Sequence, residues 1–480
     1  RIALAGMTVI PGFHDAHQHL WKEGMLLRQV NARPAVAPSI EALVQAFAER
    51  AAHLPSGTWL EGRGYDENQL LEHRHPTRAD LDRASSHHPI VLGRTCGHII
   101  VVNSIALRLA GIGASTPDPV GGQIDRDDRG EPTGVLRETA MALVRGVQPL
   151  PAEAELQQAI IDAGRKCLAL GITCIGEPGV DARTVEVYQR LDLEGRLPLR
   201  CDIMAMTISP SGVRQPPPAI WQGHLAKVDT CKLFSDGGLS GGTAALRIPY
   251  RGRHDCGLPR FPAAQLNEEI ARVFNAGLTV AVHAIGDLAI DLVLDAFESC
   301  VGGPVRLSGT QRLRIEHCGL PTAGQLARAR ALGVMLATQP AFLYDLGDSF
   351  LHHLPDALIP QCYPFRAMLD AGLTVSFSSD GPVISDINPL LGLRSAVLRR
   401  SRTGKPIALE QRIEVAEALS CFTVGSAAVA GLEHRLGRLA PGQEADLVVL
   451  SADPLQVPVE RLLEIKVVQT FLEGRPVYES

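Results

Sequence analysis

Several absences narrow the chain before any motif is read. None of its ten cysteines (Cys96, Cys167, Cys174, Cys201, Cys231, Cys256, Cys300, Cys318, Cys362, Cys421) stands in a C-x-x-C pair, and no charged-then-apolar leader opens the sequence. In a protein of this size that pattern reads as reduced thiols in a cytoplasm, not a disulfide frame. The longest apolar stretch, near Ile99 to Leu109, is interrupted by Asn103 and Arg108, so no bilayer span is expected. Positive charge is not in excess: 46 Lys and Arg face 52 Asp and Glu, a formal charge of −6, and no half of the chain is basic. A nucleic-acid surface is therefore not expected. Fixed-period repeats and low-complexity runs are absent. The glycines of DGGLSGGT are not followed by G-K-[ST], so they read as a mouth loop and not a phosphate cradle. A first methionine is missing too: Arg1 leads straight into strand-like sequence, which reads as a lost N-terminal piece.

What is present is enough apolar material for a large core: 480 residues, 45% hydrophobic and only 20% charged. From about residue 152 onward, amphipathic runs ending in Gly alternate with short β-branched runs. AELQQAIIDAGRKCLALG precedes ITCIGE, VEVYQRLDLEG precedes LRCDIMAM, and LNEEIARVFNAG precedes LTVAVH. IDLVLDAFESC then RLRIEH, QLARARALG then VMLATQ, and FRAMLDAG then LTVSFSSD continue the series, with DTCKLFSD as a further strand. Counting MTVIPGFHDAHQHL gives eight strands separated by helical sequence, which predicts an α/β fold closed as a (β/α)8 TIM barrel. An open doubly wound sheet is the rival, and it would need a nucleotide motif that the chain lacks. Residues 1–57 read as the first barrel strand and helix. Residues 58–150 break the alternation and read as an inserted α/β subdomain over the barrel mouth, with strands in WLEGRGY and PIVLGRT, a helix at SIALRLAG and a turn at DRDDRGEPTG. The barrel resumes over 151–432. Residues 433–480 are strand and turn sequence, expected to be the C-terminal part of a small β-sandwich domain.

The chemistry-bearing residues fall at strand ends. His17 and His19, two apart at the end of the first strand, share a face and can grip one cation. Lys232 lies on the fourth strand, His283 ends the fifth, His317 the sixth and Asp380 the eighth. In a parallel barrel those ends converge on one mouth. Imidazole and carboxylate suit zinc, and also iron, manganese or nickel. An ammonium has no lone pair for a metal. Desolvated beside cations, however, Lys232 would lose its proton, and the free amine can capture carbon dioxide as a carbamate able to bridge two ions. The competing reading is a salt bridge from Lys232 to Asp236 or Glu177. Weaker signals are His98 in CGHIIVVNS and Tyr65 and Asp66 in GRGYDEN as substrate contacts. The pairs His87-His88 and His352-His353 read as solvated loop residues.

Taken in order, VIPGFHDAHQHL, KLFSDGG, VHAIGD, RIEHC, FSSDGPV and GRLAPGQEADLVVL resemble the metal-dependent amidohydrolase superfamily. The insertion segments GYDENQL, HPIVLGRTCGHIIVVNSIAL and GEPTGVLRE resemble its branch of YtcJ-like proteins and N-substituted formamide deformylases. The resemblance covers nearly the whole chain. It implies His17 and His19 as metal ligands, Lys232 as a carbamylated bridge, His283 and His317 on a second ion, and Asp380 as a ligand that also shuttles the proton. It further implies a divalent metal, zinc, as one or two ions per chain, and a β-sandwich built from both chain ends.

The implied activity is hydrolysis of a non-peptide C–N bond, amide or formamide-like, in a small-molecule substrate by a metal-activated hydroxide. A homo-oligomer is compatible with it. Two departures stand out. The N-terminal half of the sandwich is missing from the sequence, and Gly242 stands in SGGTAAL where the branch carries Arg. A mononuclear deaminase or cyclic-amide hydrolase using His17, His19, His283 and Asp380 is the alternative. A deaminase would place Glu shortly after the fifth-strand His, where this chain has HAIGDLAID. A non-catalytic scaffold is the third reading, and it should have lost at least one of the six positions.

Overall fold

A computed structural model describes Leu4 and residues 6–94, 99–119, 122–208, 213–302, 311–384 and 386–480. The chain forms two compact units, Arg1–Gly24 with Glu153–Ser480, and Met25–Ala152. In the first, eight strands follow one another in chain order: β1 (Phe13–Asp15), β2 (Ile172–Val180), β3 (Arg200–Met206), β4 (Ala226–Phe234), β5 (Thr279–Ala284), β6 (Leu313–His317), β7 (Met335–Thr338) and β8 (Val375–Phe377). Every neighbouring pair is parallel. The ends of the sheet meet: Ala16 N donates to Phe377 O at 3.2 Å and Asp380 N to His17 O at 2.8 Å, closing the barrel. Register levels the strand ends, setting Phe234 beside His283 and Ala284 beside His317.

The helices form because their apolar residues recur every three or four positions. In α1 (Glu153–Ala169), Leu156, Ala159, Ile160, Ala163 and Cys167 are buried; in α2 (Ala263–Asn275), Leu266, Ile270, Val273 and Phe274. Both helices stop where a glycine takes left-handed backbone, Gly171 and Gly277 at φ 77°, and the chain turns at once into the next strand. The segment read as one opening strand is two. Thr8–Pro11 pairs with Leu447–Leu450 in a four-stranded antiparallel sheet completed by Val467–Leu472 and Arg475–Glu479, and only Phe13–Asp15 joins the barrel. Gly12 marks the change of sheet, and a Cβ there would lie 2.1 Å from Thr173 Oγ1.

The second unit carries a six-stranded mixed sheet in the order Val30–Asn31, Leu60–Tyr65, Ile90–Arg94, Ile99–Val102, Pro132–Glu138, Gly122–Arg126. Residues 25–57, read with the first barrel strand, fold here. Val30–Asn31 pairs with Leu60–Tyr65, and Phe47 of the helix Ile40–Ala51 packs under Gly62. The hairpin turn closes as its sequence suggests, Asp127 Oδ1 accepting from Arg129 N and Glu131 N at 2.9 Å. No helix among the described residues is long and apolar enough to cross a membrane. All cysteines among the described residues are unbridged; Cys96 lies outside them.

Candidate metal centre

The polar residues at the strand ends of the barrel converge. One ligand atom each from His17, His317 and Asp380 lies within 4.8 Å of the others, a spread that one ion can span, and all three residues are buried. His17 Nε2 is 3.6 Å and His19 Nε2 3.4 Å from Asp380 Oδ1. The rings of His17 and His317 are centred 5.0 Å apart, and those of His317 and His283 4.4 Å. His17 and His19 lie just past β1, not on it. Asp15 accepts from His17 N at 3.2 Å, while Gln18 N donates to Gly176 O and His19 N to Gly381 O, each at 2.8 Å. These bonds bend the chain over the barrel end.

Burial dominates the electrostatics. It pushes the His17 imidazole well below its ordinary range, helped by the Lys232 field, and does the same to His317, helped by His283 and His17. His19 is lowered for the same first reason. All three are neutral near pH 7, and His17 and His317, each with Nδ1 engaged by a side-chain oxygen, keep the Nε2 lone pair for a cation. Burial alone would raise Asp380. The hydrogen bond from His19 and the fields of His17, His19 and Lys232 outweigh it and hold the carboxyl below the usual range. Lys232 is driven down to about 8 by burial, against the fields of Glu316 and Asp380. Its Nζ has no hydrogen-bond partner among the described residues and sits 4.7 Å over the Phe234 ring. The salt bridge to Asp236 or Glu177 is not formed. Asp236 accepts from Ala245 N, Ile285 N and Gly286 N, and Glu177 accepts from Tyr188 Oη and Trp21 N.

The site opens into a cavity of about 250 Å³ whose polar lining residues are His17, His19, Ser240, His283, His317, Tyr363 and Asp380 and whose apolar wall includes Phe234, Leu239, Phe342, Leu346 and Phe350. Supports that the sequence reading missed hold the imidazoles from behind. Glu316 Oε2 is 2.5 Å from His17 Nδ1, Arg314 Nε donates to Glu316 Oε1 at 2.9 Å, and Gln339 Oε1 is 2.7 Å from His317 Nδ1. Neighbours on a strand face opposite ways, so RIEH gave no reason to place Glu316 and His317 in one site. Left-handed backbone at His317, φ 73°, breaks that alternation.

Other expected residues fare differently. His283 lines the cavity, but its Nε2 faces Gly237 O at 3.0 Å and Asp236 Oδ1 at 3.3 Å, outside the three-residue group. Tyr65 and Asp66 belong to the second unit. Tyr65 is fully buried in that unit's core with its hydroxyl 3.0 Å from His75 Nδ1, and Asp66 accepts from Gln69, Asn68 and Arg94. His98 lies outside the described residues. His88 is not solvated: it is buried, with Nε2 3.0 Å from Pro55 O and Nδ1 2.9 Å from Ser85 Oγ. Gly242 has φ 62°, and a Cβ there would lie 2.2 Å from Arg253 Nη1, so the guanidinium of Arg253 fills the space a side chain would need.

The chain is similar to known proteins along nearly its whole length. Residues 1–478 match the profile of the Amidohydrolase family. The protein YtcJ of Bacillus subtilis, named as an amidohydrolase, is 32% identical over 494 residues, covering 100% of this chain and 90% of its own length. The N-substituted formamide deformylase of Arthrobacter pascens is 30% identical over 506 residues, covering 99% and 89%. The crystal structure of a metal-dependent hydrolase from Pyrococcus horikoshii superposes with a TM-score of 0.79 at 29% identity, over 95% of this chain and 88% of that one.

Proposed function

The chain belongs to the amidohydrolase family and is a hydrolase acting on carbon–nitrogen bonds. From that premise we propose that it cleaves a small, neutral amide or formamide-like bond outside peptides, using a divalent metal, zinc by the chemistry of its donors. The observation that carries this reading is the group His17, His317 and Asp380, with ligand atoms within 4.8 Å of one another at the base of a walled cavity. Neutral imidazoles beside an ionised carboxylate are a donor set that zinc takes, and the Nδ1 partners of His17 and His317 fix each ring as ligand histidines require. When bound, such an ion lowers the pKa of water to about 7 and polarises a carbonyl.

The chain's own residues supply the rest. Asp380, held ionised, is placed to take a proton and pass it to the departing nitrogen. His19, within 3.4 Å of Asp380, orients that carboxylate. The apolar wall excludes water and selects apolar substituents. A second reading adds a further ion, with Lys232 as a carbamate and His283 turned inward. The buried, unpartnered Nζ of Lys232 favours it. Unbridged cysteines accord with a reducing, cytoplasmic setting.

The test is metal analysis of protein never exposed to chelator, together with formate or amine release from a panel of N-substituted formamides and amides. One equivalent of metal supports a mononuclear site and two the carbamate-bridged reading. No metal and no turnover on any amide would refute the proposal.

A further inference from the structure

We propose that Tyr363 is a catalytic residue of this site, its hydroxyl donating a hydrogen bond to the substrate's carbonyl oxygen as negative charge gathers there, and that Arg399 positions it. The inference rests on the hydrolase reading and adds a donor to it.

Tyr363 follows the turn Asp356–Gln361 in the connection from β7 to β8, on the side of the barrel where the strands end, and lines the same cavity as His17, His317 and Asp380. The residue is fully buried, and its hydroxyl has no hydrogen-bond partner among the described residues. Leaving a buried hydroxyl unpaired costs about as much as a lost hydrogen bond, so folded proteins rarely do it without a use. The backbone at Tyr363 is left-handed, φ 46°, a conformation that a bulky aromatic residue adopts only when its surroundings impose it.

Those surroundings are explicit. Tyr363 N donates to Gly319 O at 2.7 Å. The guanidinium of Arg399, fully buried and without a carboxylate partner among the described residues, donates to Tyr363 O at 2.9 Å and Cys362 O at 2.7 Å. Its Nε is held by Ile407 O and Ala408 O. The ring is clamped by Phe350, stacked at 5.8 Å, and Phe342, edge-on at 6.0 Å.

The structure thus fixes the phenol firmly while giving its O–H nothing to bond. Burial, with the fields of Cys362, Asp380 and Asp236, also keeps it protonated. The O–H bond stays intact throughout; the group offers a dipole to developing charge and transfers no proton.

The Tyr363→Phe variant removes only that hydroxyl. Its Tm should stay within about 1 °C of the parent or rise, since no internal bond is lost. A clear fall would show that the hydroxyl serves the fold, and would overturn the proposal. On whichever formamide the parent hydrolyses, kcat should drop at least about tenfold with metal content unchanged, and an unaltered kcat would overturn it.

For Arg399→Lys, kcat should fall in the parent background but not further in Tyr363→Phe, whereas a merely structural role would give additive losses. If the parent hydrolyses none of the panel, the hydrolase reading fails separately. Calorimetric titration with acetohydroxamate, a carbonyl-oxygen ligand, then decides Tyr363. Affinity at least about fivefold weaker in the variant supports the donor, while equal affinity, or no binding to either protein, contradicts it.

Discussion

Lys227 and Lys232 lie on the same strand, β4, both buried, and the barrel treats them in opposite ways. Near the start of the strand, Lys227 meets Asp202 at 3.1 Å and Asp229 at 2.8 Å, and these carboxylates outweigh burial and raise its pKa. Arg314 beside it meets Asp202 at 3.3 Å and Glu316 at 2.9 Å. Toward the end of the strand, Lys232 has no acceptor among the described residues and burial lowers it to about 8. The residues around the cavity share that character: the Tyr363 hydroxyl is unpaired, and His317, Tyr363 and Asp380 all carry left-handed backbone. The buried charges at the start of the strand meet opposite charges, whereas Lys232 and the Tyr363 hydroxyl near the cavity meet no partner among the described residues, the distribution expected if the mouth receives a ligand.

The contrast can be broken at either end. The largest effect is expected at the mouth: Asp380→Asn should lower turnover roughly 10³-fold while metal analysis shows most of the metal retained. Unchanged turnover would remove Asp380 from proton transfer. Next comes the paired lysine. Lys227→Met strands buried carboxylate charge and should cost about 3–5 kcal/mol in urea unfolding. Lys232→Met, which removes an unpaired amine, should cost less than about 1 kcal/mol, and in the carbamate-bridged reading it should also abolish activity. Equal costs for the two would erase the contrast.

A smaller change is expected at the joint between the two regions, where Glu316 contacts both Arg314 and His17. Glu316→Gln should weaken metal affinity about 10–100-fold, read by competition with a chelator.

The smallest effect concerns Glu177. Burial lifts its carboxyl from 4.5 to about 8 despite the hydrogen bond from Tyr188. The folded state therefore keeps a proton that the unfolded chain releases, and stability falls as pH rises from about 4.5 toward 8. Glu177→Gln removes this loss, so its Tm relative to the parent should rise by a few °C, about 2–4, between pH 5 and pH 8. A pH-independent difference would mean that Glu177 ionises normally.

Much of this architecture is legible in the sequence because helix, glycine and strand each carry their own local signal. Gly171 and Gly277 close their helices in left-handed backbone at the positions the alternation marks. His17, His317 and Asp380 then come together because a parallel barrel gathers the C-terminal ends of its strands at one mouth. The split at Gly12 is hidden, since two strands entering different sheets read as one apolar run. Residues 25–57 are likewise ambiguous, because an amphipathic helix does not say which sheet it covers. Glu316, Gln339, Tyr363 and Arg399 are the harder cases. Their roles come from contacts between distant segments and from backbone that departs from strand geometry, neither of which leaves a periodic mark.

The proposed chemistry stands on neutral imidazoles and an ionised carboxylate at the strand ends holding a divalent ion. A crystal structure of protein never exposed to chelator, with anomalous data at the zinc edge, tests it most directly. A peak within coordination distance of His17, His317 and Asp380 is expected. A fully ordered site with no anomalous density would contradict it.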